Sequence, residues 1–115
     1  MTDVASMLRY VLVLGRNTEN LGSPTSLVAL ARGNELEVSL LSVGFPVTPQ
    51  QQAFVAEAVD LAVDAGIRLD AEILAGTADI AGHIRGGEDV RVASRGLERR
   101  RIEAILRKRG ARLAS

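Results

Sequence analysis

Few side chains in this chain are equipped for covalent chemistry, and their spacing narrows the choices further. There is no cysteine among the 115 residues, which excludes thiol nucleophiles, thiolate metal sites and disulfides. His83 is the single histidine. Without a Cys or a second His it cannot anchor a metal site, and it reads as a surface or half-buried structural residue. Glu57, Asp60 and Asp64 recur at helical spacing, the pattern of a solvated helix face, and no second carboxylate set accompanies them for acid–base work. Ser94 has no histidine placed by sequence to activate its hydroxyl. These residue types argue against an enzyme and call for no required cofactor.

Binding chemistry remains, and it gathers in four glycine-containing turns: Gly15-Arg16-Asn17, Val43-Gly44, Ala75-Gly76-Thr77 and Ser94-Arg95-Gly96. Glycine lets a backbone approach a ligand closely, and the Thr77 and Gly96 turns lead into helix N-termini, which favour anions. Arg16 and Arg95 add charge suited to a phosphate. The candidate nucleotide-binding residues are therefore Gly15, Arg16, Asn17, Val43, Gly76, Thr77, Ser94, Arg95 and Gly96. The same glycines also serve the tight turns that any strand-to-helix fold requires, and the sequence leaves both readings open.

The flanking segments define the elements that carry these turns. Residues 1–9 read as a flexible leader whose Met7 and Leu8 can enter the first strand, and Tyr10 to Leu14 is an unbroken apolar run, as in a strand covered on both faces. Ser23 and Pro24 cap a helix that carries Leu27, Val28, Leu30 and Ala31 and is expected to end at Gly33. Leu36 to Val43 is a second two-sided strand. Thr48, Pro49 and Gln51 form a capping-box pattern for a helix with Phe54, Ala58, Leu61 and Ala65 on one face and a stop at Gly66. Residues 68–73 alternate as a strand with one wet face. A short helix after Gly76-Thr77 turns Ile80, Ala81 and Ile84 inward and closes at Gly86-Gly87. Asp89 to Val92 alternates again, and a last helix from about Leu97 to Arg109 carries Ile102, Ile105 and Leu106 as a narrow stripe.

The order βαβαβαβα predicts an α/β three-layer sandwich with a small parallel sheet. The two-sided strands belong in the middle and the alternating ones at the edges. This arrangement gives strand order 3-2-1-4, with a fifth strand from residues 110–115 weak or missing. The chain then reverses direction beside the first strand, where open α/β sheets bind ligands beyond the carboxyl ends of their strands. Residues 10–115 make one domain, and apolar residues at 47% with aromatics at 3% imply a core of Val, Leu, Ile and Ala. No apolar run approaches the ~20 residues of a membrane span, and the N-terminus lacks a signal-peptide pattern, so the expectation is a cytoplasmic protein. The formal net charge of zero hides an asymmetry: residues 95–115 hold eight basic side chains against two acidic ones, and the remainder carries the opposite excess.

Several segments together resemble the universal stress protein family, within the adenine-nucleotide-binding α/β superfamily: YVLVLGRN at the first strand and turn, LEVSLLSV at the second strand, DLAVDAGI closing a helix, LAG followed by TADIAGHI, and DVRVASRG. Asn17-Thr18-Glu19-Asn20 is similar to stress-protein domains attached to membrane transporters. The resemblance covers about Tyr10 to Ala104 and implies the same fold with order 3-2-1-4-5. ATP-binding members carry an acidic residue at the end of the first strand and a glycine, two residues, a glycine, nine residues, then a glycine with Ser or Thr. Here Gly15-Arg16 stands at the first place, and Ala93, Gly96 and Leu106-Arg107 at the others. The resemblance thus implies a divergent member with an incomplete ATP motif.

The expected function is a small non-catalytic regulatory or stress-response domain that binds an adenine-type nucleotide (ATP, AMP or a cyclic form) weakly, or self-associates. The alternative is a ligand-free interaction module related to the cytoplasmic regulatory domain of a transporter. A homodimer is expected through an open Asp89–Val92 edge or the tail beyond Gly110. The basic helix over 97–109 is a solvated face, an anionic-lipid or nucleic-acid contact, or a dock for an acidic protein. The lack of stacking aromatics counts against nucleic acid.

Overall fold

A computed structural model describes residues 8–16, 22–44 and 46–113 of the chain. Its core is a parallel sheet in the order β3-β2-β1-β4-β5, built from β1 (Leu8–Leu14), β2 (Leu36–Val43), β3 (Leu69–Leu74), β4 (Asp89–Ala93) and β5 (Arg112–Leu113). Helices α1 (Pro24–Asn34) and α2 (Pro49–Ala65) cover one face. A 3-10 helix (Thr77–His83) and α3 (Gly96–Lys108) cover the other. The protein is an α/β three-layer sandwich.

Alternation along the central strands explains the layering. Val11 and Val13 of β1 join Leu41 and Val43 of β2 and Val90 and Val92 of β4 in a cluster under Ile80, Ile84, Ile102 and Leu106. Leu12 and Leu14 point the other way, with Val38 and Leu40, into a cluster capped by Leu27, Ala31, Phe54 and Ala58. Every residue from Val11 to Leu14 is buried, as its continuous hydrophobicity predicts. Each such side chain contributes about 1.5–3 kcal/mol on burial, so the two-sided strand β1 is a major source of stability.

Caps set the helix ends. The Ser23 hydroxyl accepts the Ser26 N–H at 3.0 Å, and Thr48 and Gln51 complete a reciprocal capping box on α2. Gly66 ends α2 in the left-handed region, as expected. The expected end of α1 at Gly33 is corrected: the helix runs on to Asn34, and Glu35 takes the left-handed turn at φ 54°. β2 begins at Leu36, so only Glu35 remains to make the reversal, and a side-chain-bearing residue occupies a conformation that costs about 1–2 kcal/mol.

The sheet edges also differ from expectation. β1 begins at Leu8 rather than Tyr10. β4 is not open at its start, because the chain reverses at Gly110 (φ 77°) and lays β5 beside it, pairing Asp89 with Arg112 and Val90 with Leu113. Arg112 N–H donates to Glu88 O at 2.8 Å, and its side chain pairs with Asp89 at 2.8 Å. The dimer expected through an open Asp89–Val92 edge thus loses part of that edge to the chain's own tail. The expected dry face of β3 is likewise thin: Ala71 and Ile73 are exposed, since α2 overlaps this outer strand mainly near Leu69.

At the amino end of the sheet, Arg9 of β1 clasps Glu88 with two bonds, Nε–Oε2 at 2.6 Å and Nη2–Oε1 at 2.8 Å, and donates to His83 O. Glu88 also accepts the Arg85 N–H at 2.7 Å, which closes the loop before β4. Burial by itself pushes the Glu88 carboxyl up. The Arg9 hydrogen bond, the Arg85 N–H and the charges of both arginines outweigh it and hold the carboxyl below its usual range.

Two predictions follow from these ends. Glu35→Gly relieves the left-handed cost and is expected to add about 1 kcal/mol, a rise in melting temperature of about 4 °C by calorimetry; an unchanged or lower value would refute the strain. Glu88→Gln is expected to cost about 1–2 kcal/mol near neutral pH. Because the folded-state value is depressed, this contribution is present above the unfolded glutamate value near about 4.3 and is lost as pH falls through the folded one. Denaturant titrations should therefore show the gap between wild type and variant closing in acid.

Candidate functional site

The carboxyl ends of the central strands are stitched together by short-range bonds. Gly15 N–H donates to Ala93 O at 2.9 Å, joining β1 to β4, and Gly44 N–H donates to Leu74 O at 2.8 Å, joining β2 to β3. Between them lies Gln51, fully buried in the first turn of α2. Its amide nitrogen donates to Leu14 O at 2.9 Å and Val43 O at 3.0 Å, while its amide oxygen accepts the Thr48 N–H at 2.7 Å. One side chain thus caps its own helix and ties the ends of both central strands. Sequence reasoning found only the cap. The missed signal was register, because Gln51 lies on the stripe of Phe54, Ala58 and Ala62 and is a polar group on an otherwise buried face.

Beside this clamp, where the sheet reverses, the turns after β1 and β4 meet. Gly15 is so tightly enclosed that a Cβ there would lie 2.2 Å from Glu98 Oε1 and 2.6 Å from Ser94 Cβ. The Glu98 carboxylate fills the space between the turns: it accepts the Ser94 hydroxyl through Oε1 and the Arg16 N–H through Oε2 at 3.2 Å. Glu98 sits in the first turn of α3, where the positive end of the helix favours a negative charge. At the Ser94-Arg95-Gly96 turn, where the sequence suggests an anion site, the Ser94 hydroxyl and the Arg16 N–H are taken up by the chain's own Glu98 carboxylate. Sequence reasoning placed Glu98 only within the basic helix; an acid three residues past the cap position was the available signal.

The other predicted residues are distributed unevenly. Ser94 is buried at the corner, and Arg95 is exposed at the α3 cap with extended backbone. Gly96 is exposed with φ 65°, and a Cβ built there meets nothing within 4 Å, so its glycine serves the turn rather than a close wall. The Arg16 side chain crosses Gly44, whose φ of 131° and contact with Arg16 Cγ and Cδ leave no room for a larger residue. Val43 is buried and its carbonyl accepts from Gln51. Gly76 and Thr77 lie beyond the end of β3, three strand spacings (roughly 14 Å) from the end of β4, and Gly76 N–H bonds Asp79 Oδ2 at 3.3 Å. Asn17 lies outside the described residues. The corner therefore unites Gly15, Arg16 and Ser94 with Glu98, and Gly76 and Thr77 stand apart from it.

His83 pairs with Glu72 of β3 at 3.4 Å, on a different element from Ser94. Among the described residues, no group of three or more His, Asp and Glu side chains is placed to hold a metal ion. A depression of about 580 Å³ opens at the amino ends of the strands, where Arg9 pairs with Glu88, Arg68 with Glu37 at 3.2 Å and Arg112 with Asp89, and where Asp70 and Arg85 also line the wall. No helix of the described residues is long and apolar enough to cross a membrane. No protein-family model matches the chain, and no curated protein matches it in sequence.

Gln51→Leu keeps the volume and removes the clamp. It leaves two strand-end carbonyls without this donor and breaks the capping box, so an unfolding free energy lower by about 2–3 kcal/mol is expected in urea titrations. A loss comparable to that of an exposed Gln52→Leu control would show the clamp to be dispensable.

Proposed function

We propose that the chain is a non-catalytic regulatory domain of the universal stress protein type, whose carboxyl-edge crevice takes an adenine-type nucleotide only weakly because its anion corner is held by Glu98. The supporting observation is the placement of the Glu98 carboxylate against Gly15, Ser94 and the Arg16 N–H, at the reversal where open α/β sheets take ligands. A phosphate needs the same donors and the same helix N-terminus. It must compete with a tethered carboxylate that is already bonded and carries like charge. The missing third glycine and hydroxyl of the ATP motif, at Leu106-Arg107, point the same way: Leu106 is buried in the core beneath α3.

The ligand-free reading, a module acting through its surface alone, is favoured by the same occupied corner, and one experiment separates the two. Thermal melts of wild type and Glu98→Ala are compared with ATP, AMP and cyclic AMP at equal concentration. Removal of the carboxylate should convert little or no stabilisation into a clear one; a ligand at 100 times its dissociation constant adds about 2.7 kcal/mol. If neither protein responds while circular dichroism shows Glu98→Ala folded, nucleotide binding is wrong and the interaction module stands. If wild type responds as strongly as the variant, Glu98 is not a competitor.

A further inference from the structure

The outward face of α3 carries a pattern that neither the core nor the carboxyl-edge corner uses. Ile102 and Leu106 point into the sheet. On the opposite side, Leu97 and Ala104, seven residues apart, form a short apolar seam, with Leu97 61% exposed. Two basic rows of the same spacing flank it, Arg100 with Arg107 and Arg101 with Lys108, and all four are exposed. The two acids of this helix lie elsewhere: Glu98 turns toward Ser94 and Arg16, and Glu103 pairs with Arg99 at 3.1 Å and reaches Arg107 at 3.9 Å. Arg100, Arg101 and Lys108 make no ion pair among the described residues. The helix dipole accounts for Arg107 and Lys108 in the last turn, but not for Arg100 and Arg101 nearer the other end.

We propose that this face of α3 docks on an anionic lipid surface, with Leu97 and Ala104 entering the headgroup layer between the two rows of cations. Charge complementarity supplies the attraction, since each Lys or Arg near an acidic leaflet contributes about 1 kcal/mol and long cationic side chains lie along an apolar seam with their heads in the headgroups. The seam distinguishes this partner from a nucleic acid, which would meet phosphates with the cations, find no stacking aromatic on the face and gain nothing from Leu97. The docking is independent of any nucleotide at the carboxyl edge, because the corner and the outward face share no side chain.

The test is co-sedimentation of the whole chain with vesicles of phosphatidylcholine alone and with about one-third phosphatidylserine. Binding is expected to the acidic vesicles only and to weaken as salt screens the charges over a Debye length of about 10 Å. Changing Arg100, Arg101 and Lys108 together to Gln should weaken it about a hundredfold. Leu97→Ser, which leaves the charge unaltered, should weaken it as well; all the substituted positions are exposed, and circular dichroism checks that the fold is kept. Absence of binding to acidic vesicles at low salt, equal binding to neutral ones, or an unaffected triple variant overturns the proposal. Displacement of the protein from vesicles by duplex DNA, with no effect of Leu97→Ser, overturns it in favour of a nucleic-acid contact.

Discussion

The buried Gln51 amide is the contact on which the carboxyl edge of this sheet depends. A parallel sheet ends in carbonyls that need donors once they are shielded from water, and at Leu14 and Val43 a single side chain supplies both. The same group is bonded to the start of its own helix, so one side chain links α2 to both central strands. The Gly15 and Gly44 turns leave the sheet directly after those two carbonyls. Their positions, and hence the shape of the carboxyl edge, follow from the clamp.

Glu98 gives that edge its chemical character. A helix N-terminus, a serine hydroxyl and a backbone N–H from the facing turn together form a site for one anionic group, and the chain fills it from within. Such an arrangement gives the buried Ser94 hydroxyl and the exposed Arg16 N–H an acceptor from within the chain. Tethering gives the carboxylate a high effective concentration at these donors. Gly15 lies so close to Ser94 and Glu98 that a Cβ there would force one of them to shift.

Charge is partitioned along the molecule by the same fold. At the amino edge, acids and bases pair across strands and hold the Arg85–Asp89 loop to β1. On α3 the acids are drawn to the flanks, toward the corner and toward Arg99, and the cations are left on the outward side. The near-neutral total of the chain therefore coexists with a strongly basic surface on one layer.

Local pattern by itself determined the order of elements, the central place of Val11–Leu14 and Val38–Leu41, the caps at Ser23 and Thr48 and the stop at Gly66, because hydrophobic period and cap chemistry act over a few residues. It placed four turns at one end of the sheet but could not say which of them meet. That depended on strand order and on side chains reaching across elements: Glu98 into the Gly15 and Ser94 turns, Gln51 to Leu14 and Val43, and Arg9 to Glu88, a separation of 79 residues. The tail beyond Gly110 was too short to read as a strand, and only pairing with Asp89 and Val90 makes it one. Glu35 in place of Gly33 at the end of α1 has the same origin, for the start of β2 decides which residue must turn. Short-range propensity chose the elements, and long-range hydrogen bonding and burial decided which polar groups of those elements face one another.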